Sequence, residues 1–247
     1  MKIVLLGHKD VASVTALNQL IGMCPQHDFM AFFSGALQEP AEIHPALRHL
    51  AEVDRVLLDR LLTRPDTAPQ LKHAAELAQP NSDNGLQLLS TERPDLIVSI
   101  RYRRILHADA IGIPLQGVLN LHSGILPDYK GVMATFWAML NGETDIGSSL
   151  HFIVDAGIDT GPIVDVSQRR ADYEQSYLRN VLALYDDGVR KIAQAVAEVD
   201  AGTRLRTASQ QHRAGKYFSS PSATDVTDFL EKGLLLASQD DLDALDQ

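Results

Sequence analysis

Apolar residues follow two spacings along this chain, one suited to buried strands and one to helices. After Lys2 the run Ile3-Val4-Leu5-Leu6 is continuously apolar and stops at Gly7, the pattern of a strand covered on both faces of a parallel sheet. Val11 to Met23 carry apolar positions at helical intervals, and Phe29 to Phe33, closed by Ser34-Gly35, read as a second strand. Strand, helix, strand in that order predicts the start of an α/β domain. Helices are expected from about Pro45 to Leu62 and Ala68 to Ala78, followed by a polar loop with Pro80, Asn81 and Asn84. Pro94-Asp95 introduces the strand Leu96 to Ile100, and Gly117 to Leu121 is predicted as a further central strand. Ala134 to Leu140 reads as a helix stopped by Asn141-Gly142. Ser148 to Val154 and Ile163 to Val166 read as two strands flanking the loop Asp155 to Pro162. Tyr177 to Val199 reads as an amphipathic helix closed by Asp200-Ala201-Gly202. The periodicity then fades, which divides the chain into a main unit, 1–202, and a small extension, 203–247, wrapped on it.

Composition narrows the class. With 247 residues and 45% hydrophobic content, the chain can bury a full core. No apolar run approaches the roughly 20 residues of a membrane span, and Met1-Lys2 leads directly into a strand rather than a leader sequence. The expectation is a soluble protein without a membrane partner. The single Cys24 has no disulfide partner and reads as a buried or half-buried thiol in a reducing compartment, the cytoplasm. A net charge of −10 repels polyanions on average and disfavours nucleic acid as a partner. Part of that acidity, at Asp240, Asp241, Asp243 and Asp246, reads as a solvated end.

The chemistry concentrates in Asn120-Leu121-His122-Ser123-Gly124-Ile125-Leu126-Pro127-Asp128-Tyr129-Lys130-Gly131 and in Asp155-Ala156-Gly157-Ile158-Asp159-Thr160-Gly161-Pro162. Strand alternation puts Asn120 and His122 on one face at the carboxyl end of their strand, where open α/β sheets bind ligands. Asp159 sits between glycines that let the backbone bend a carboxylate back toward another group. An amide, an imidazole and a carboxylate suit acyl transfer. Asn120 can donate to an oxygen that becomes negative, His122 can donate a second hydrogen bond or shuttle a proton, and Asp159 can orient the ring and raise its basicity. An Asn-x-His pair by itself is more often a satisfied hydrogen-bonding pair than a catalytic one.

Taken together, these two segments resemble the signature of the folate-dependent formyltransferases, a family that includes glycinamide ribonucleotide, methionyl-tRNA and amino-sugar formyltransferases. Its pattern is Asn-x-His, a turn with Leu-Pro, an aromatic or basic residue before Gly, and a distal Asp-x-Gly-Pro. Gly142, Gly147 and His151 also fall where members carry them. The resemblance covers roughly 95–167, with a looser fit over the first 200 residues. It implies an α/β, Rossmann-like, mostly parallel sheet with helices on both faces, plus the small C-terminal extension. It implies N10-formyltetrahydrofolate as co-substrate, no metal, and Asn120, His122 and Asp159 as the catalytic group. It further assigns Arg104, Ile105 and Leu106, together with Asp155 and Gly157 of the second loop, to the folate pocket, and gives His151 a supporting place near Asp159. One departure is His122-Ser123-Gly124, where members often read His-Pro-Ser; the Gly is similar to the amino-sugar branch.

The expected acceptor is a small amine, foremost the 4-amino group of a nucleotide-linked sugar. Methionyl-tRNA is disfavoured by the acidity and by the short stretch after Gly202, and Gly7-His8-Lys9-Asp10 does not resemble the phosphate loop of purine-pathway relatives. The competing readings are a formyltetrahydrofolate hydrolase, a methionyl-tRNA-type enzyme and a non-catalytic folate or nucleotide binder. A homodimer through the extension is expected from family habit. Elsewhere, His44 and His49 lie on different helix faces and read as surface histidines, Phe136 and Trp137 as core, and Arg101, Arg103 and Arg104 as a solvated cluster or a contact for an anionic group. Lys216-Tyr217-Phe218 is the tail segment able to approach the acceptor.

Overall fold

A computed structural model describes residues 1–35, 43–210 and 215–243. Its elements run β1 (Lys2–Gly7), α1 (Val11–Met23), β2 (Asp28–Phe33), α2 (Pro45–Thr63), α3 (Pro69–Lys72), β3 (Ala75–Glu76), α4 (Asp83–Glu92), β4 (Leu96–Ile100) and α5 (Ala108–Ile111). There follow β5 (Val118–His122), β6 (Tyr129–Gly131), α6 (Ala134–Leu140), β7 (Asp145–Ile153), β8 (Ile163–Arg170), α7 (Tyr177–Asp200), β9 (Lys216–Phe218), α8 (Ala223–Glu231) and α9 (Gln239–Asp243).

The main sheet has seven strands in the order β3-β2-β1-β4-β5-β7-β8. β3, β2, β1, β4 and β5 pair in parallel, while β7 runs antiparallel to β5 and β8 antiparallel to β7. The α/β, mostly parallel, Rossmann-like architecture is therefore as the sequence implies. Both faces are covered, and alternation shows it: Ile3 and Leu5 pack with α1, α2 and α7, whereas Val4 and Leu6 pack with Leu89 of α4 and Ala110 of α5. Leu119 and Leu121 join the first face and Val118 the second. That register sends Asn120 and His122 to the same side as Val118, at the carboxyl end of β5.

Gly188 lets α7 close on this strand, because a Cβ there would come within 2.9 Å of Leu121 and 2.7 Å of the Ser148 hydroxyl. Asp10 caps α1 by accepting from the Ser13 N–H at 2.8 Å and is itself buried against Arg101 (2.9 Å) and Arg103 (3.2 Å). Arg101 is thus a half-buried partner of a buried carboxylate rather than part of a solvated cluster. Among the described residues, no helix is long and apolar enough to cross a membrane.

Several boundaries differ from the sequence reading. The helix expected over 68–78 shrinks to α3, because the chain turns into β3 and Leu77 donates its N–H to the Phe33 carbonyl at 2.7 Å. Asn84, expected in a loop, lies in α4, which Ser82 caps through the Gly85 N–H. β7 starts three residues earlier than expected and β8 ends four later, as their mutual ladder extends both. The tail has more regular structure than its faded periodicity suggested. Phe229 is fully buried and stacks on Phe136 at 4.6 Å, and Leu234, Leu236 and Ala237 join the main core. Asp241, expected in solvent, is buried; it accepts from Ser176 at 3.0 Å and lies 3.4 Å from Arg179. A helix-spacing test misses such residues because short segments bury what they can against a neighbour. Asp246 lies outside the described residues.

Candidate active site

β5 ends at His122, and the chain then bends through Ser123 and Gly124 into a loop with a cis Leu126-Pro127 bond before entering β6. Ser149 on β7 pins that loop, accepting from the Leu126 N–H at 3.0 Å and donating to the Gly124 carbonyl at 2.8 Å. Gly124 is where the turn needs no side chain: a Cβ would stand 2.6 Å from both the Ala134 Cβ and the His122 Nε2. The close approach orients the ring. His122 Nε2 lies 2.6 Å from the Tyr129 carbonyl, an acceptor, so that nitrogen carries the proton and donates. Nδ1 is left facing Asp159 Oδ2 at 3.4 Å.

Asp159 reaches this place from the β7–β8 loop with φ 53, a left-handed conformation uncommon for a residue with a Cβ. Its carboxylate accepts from the Gly131 N–H at 2.9 Å and lies 3.3 Å from His151 Nε2. Burial alone would raise this carboxyl, but the neighbouring His122, the His151 contact and the Gly131 N–H together hold it down at about 2. It is a carboxylate throughout the physiological range. Asn120 sits opposite His151 on the β5–β7 ladder, with its side-chain nitrogen 3.0 Å from His151 Nε2. The three residues singled out from the sequence therefore come together, with His151 as the link between Asn120 and Asp159.

The segments assigned to folate are placed less uniformly. The Ile105 side chain is 48% exposed, but its carbonyl already accepts from Asn81 at 2.9 Å. Leu106 is buried in the second core, which leaves only its backbone to face a ligand. Arg104 donates to the Ser34 carbonyl at 3.1 Å. Asp155 accepts from the Gly157 N–H at 2.7 Å and so shapes the loop that carries Asp159. Val154 and Ile158, on either side of that turn, are exposed.

Sequence reasoning passed over four supports. Gln210 is buried and donates to the carbonyls of Asp159 at 3.1 Å and Gly161 at 2.6 Å, clamping the carboxylate loop from the tail. Asn81 also accepts from the His107 N–H at 2.8 Å. The other two are the backbone groups of Tyr129 and Gly131, invisible to side-chain patterns. Gln210 lies in a polar run and no local signal marks it. His44, set aside as a surface histidine, caps α2 by accepting from the Ala46 N–H at 3.1 Å.

A profile of the formyl transferase family matches residues 59–202. The chain belongs to this family. A methionyl-tRNA formyltransferase from Thermodesulfovibrio yellowstonii is 33% identical over 138 residues, covering 49% of this chain and 44% of the relative. The chain thus matches less than half the length of that formyltransferase relative. Among solved structures, a sugar N-formyltransferase from Shewanella sp FDAARGOS_354 is 15% identical with a TM-score of 0.61, covering 89% of this chain and 77% of that one. The formyltransferase PseJ from Anoxybacillus kamchatkensis is 19% identical with a TM-score of 0.57, covering 98% and 97% respectively. At these identities the two structures establish a shared formyltransferase fold.

Proposed function

We propose that the chain moves a formyl group from N10-formyltetrahydrofolate to the amino group of a small molecule, most favourably a nucleotide-linked 4-amino sugar. The observation that carries this reading is the pairing of His122 Nδ1 with Asp159 Oδ2 at 3.4 Å beside Asn120, at the carboxyl end of a central strand of a formyl transferase family member. The donor supplies an electrophilic formyl carbon and a nitrogen leaving group. As the amine adds, Asn120 donates to the oxygen that becomes negative. The proton shed by the amine passes through water to the His122–Asp159 pair, where it is held between Nδ1 and Oδ2 as an imidazolium–carboxylate pair. The same proton then passes from His122 to N10 as the carbon–nitrogen bond breaks. His151 orients Asn120 and Asp159.

Arg104, Ile105, Leu106, Asp155 and Gly157 are assigned to the folate side of this site. Exposed Ile105, Val154 and Ile158 are apolar side chains suited to covering by a flat pterin ring. The PseJ structure was obtained with a UDP-linked 4-formamido sugar and tetrahydrofolate, which supports a sugar acceptor by analogy of fold. The same reading treats 1–202 as the catalytic unit and 203–247 as its extension, in a cytoplasmic homodimer.

A second acceptor is favoured by one observation, the identity to methionyl-tRNA formyltransferases. The net charge of −10 weighs against it, because tRNA binding needs cationic contacts to phosphates. Incubation with N10-formyltetrahydrofolate, following tetrahydrofolate release with UDP- and dTDP-linked 4-amino sugars, with initiator methionyl-tRNA, and with no acceptor, decides the matter. Sugar-dependent release is expected. Release without acceptor identifies a hydrolase, and none under any condition a binder.

A further inference from the structure

β6 is bonded along both of its edges, and the two edges serve different partners. Tyr129 and Gly131 are two residues apart, so their backbone groups point to one side of the strand. On that side Tyr129 supplies the carbonyl that fixes His122 Nε2, and Gly131 the N–H that fixes Asp159 Oδ2. The opposite edge pairs with β9 in parallel register, Tyr129 with Lys216, Lys130 with Tyr217 and Gly131 with Phe218. The flanking residues extend the same ladder: Lys216 donates its N–H to the Asp128 carbonyl at 3.4 Å and Val132 donates to the Phe218 carbonyl at 2.8 Å. These strands form a sheet of two, separate from the main one, so β9 is the strand on which β6 rests.

Side chains reinforce the pairing. The Phe218 ring is buried, stacked on Tyr129 at 5.2 Å with planes 9° apart and on Trp137 at 5.1 Å. The Trp137 indole N–H donates to the Ser219 carbonyl at 3.1 Å, anchoring β9 to α6. Gly131 adopts φ +95 where a Cβ would overlap the Phe218 carbonyl.

We infer that β9 of the C-terminal extension is a positioning element for the reaction: through β6 it sets the distance and the tautomer of the His122–Asp159 pair, with Phe218 as its positioning residue. The inference rests on the catalytic reading of His122 and Asp159. Its physical content is that both members of the pair are hydrogen-bonded to one short strand, His122 donating to the Tyr129 carbonyl and Asp159 accepting from the Gly131 N–H, so a shift of that strand moves both at once. Misplacement by about an ångström costs on the order of a hundredfold in rate when reacting groups are held in near-attack geometry.

The test uses the full chain with Phe218→Ala, Phe218→Tyr, Lys216→Pro and Lys216→Ala, each checked for folding by circular dichroism. Lys216→Pro removes the N–H that bonds Asp128 at an exposed side chain, and it decides the question if Phe218→Ala does not fold. Phe218→Ala and Lys216→Pro are expected to lower kcat by about tenfold or more with KM for the formyl donor changed by less than about twofold. Imidazole nitrogen NMR should show His122 losing its fixed Nε2–H form in both. Phe218→Tyr should restore the wild-type kcat and NMR signature, and Lys216→Ala, which keeps the N–H but removes the ammonium 4.7 Å from the Phe218 ring centroid, should lose less kcat than Lys216→Pro. Folded Phe218→Ala or Lys216→Pro protein with wild-type kcat and unchanged His122 signals overturns the inference. His122→Asn separates the two claims: full activity in that variant removes the catalytic reading, while the His122 signals of the β9 variants still report whether the strand holds the ring.

Discussion

Asn120 and His151 face each other across the antiparallel β5–β7 ladder, with the Asn120 side-chain nitrogen 3.0 Å from His151 Nε2. The other ring nitrogen of His151, Nδ1, lies 2.9 Å from the Phe152 carbonyl and donates to it. Nε2 stands between the Asn120 amide and Asp159 Oδ1, which lies 3.3 Å away, so one ring fixes the position of both side chains. The Asn120 nitrogen carries two N–H groups, so one remains beyond the contact with His151 for an oxyanion.

Loss of that donor is expected to be costly. Asn120→Ala should lower kcat by about a hundredfold, the usual penalty for one oxyanion-hole donor. His151→Phe removes the orienting nitrogen but keeps the amide, so its loss should be smaller. Single-turnover kinetics with saturating donor measures both; equal rates for Asn120→Ala and wild type would remove Asn120 from the chemistry.

Gly124 tests how tightly the turn is packed. Its substitution by Ala places a Cβ 2.6 Å from the Ala134 Cβ and 2.7 Å from the Tyr129 carbonyl, neither of which is a flexible side-chain end. Gly124→Ala should destabilise the fold by roughly 1–3 kcal/mol, typical of overpacking, and reduce activity by tilting His122. Urea denaturation together with kcat reports both effects. A variant with wild-type stability would show that the turn has room to move.

Asp159 contributes acid sensitivity. Its carboxyl lies at about 2 in the folded protein against an ordinary value of 3.8. Its contribution to stability is thus complete above the ordinary value and is lost as pH falls through the window from about 4 to about 2. The size is about 2 kcal/mol. Asp159→Asn should flatten this part of the stability curve, as measured by urea midpoints between pH 5 and pH 2.

Asp54 has the opposite sign. It accepts from the Val11 N–H at 3.2 Å, and burial, with the nearby Asp10 carboxylate adding repulsion, pushes its carboxyl up to about 7. The folded state holds this proton where the unfolded chain has released it, so stability falls as pH rises from about 4 to about 7 and then levels. Asp54→Asn keeps an acceptor for Val11 without the charge. It should gain stability at pH 8 relative to wild type, on the order of 1–2 kcal/mol given partial exposure. Thermal melts at pH 5 and pH 8 check it: the difference between variant and wild type should be larger at pH 8.

The strands and long helices were legible because each repeats one spacing over many residues. Ile3 to Leu6, Leu96 to Ile100 and the α7 stripe from Val181 through Val199 each announce what they bury. Short elements carry no such repeat. β3 exists because β2 offers it an edge, and β9 because β6 does. A segment of two or three residues has too few positions for a period, and its conformation follows its neighbour.

Sequence alone determined the α/β class, the central strand bearing Asn120 and His122, and the loop bearing Asp159, since period-two alternation and glycine spacing act within a few residues. Tertiary structure decided that His151 links Asn120 to Asp159, that Gln210 clamps the carboxylate loop, and that the tail supports β6. Those relations join residues from 8 to 87 positions apart across different elements, or run through backbone groups common to every residue, so no periodic pattern encodes them.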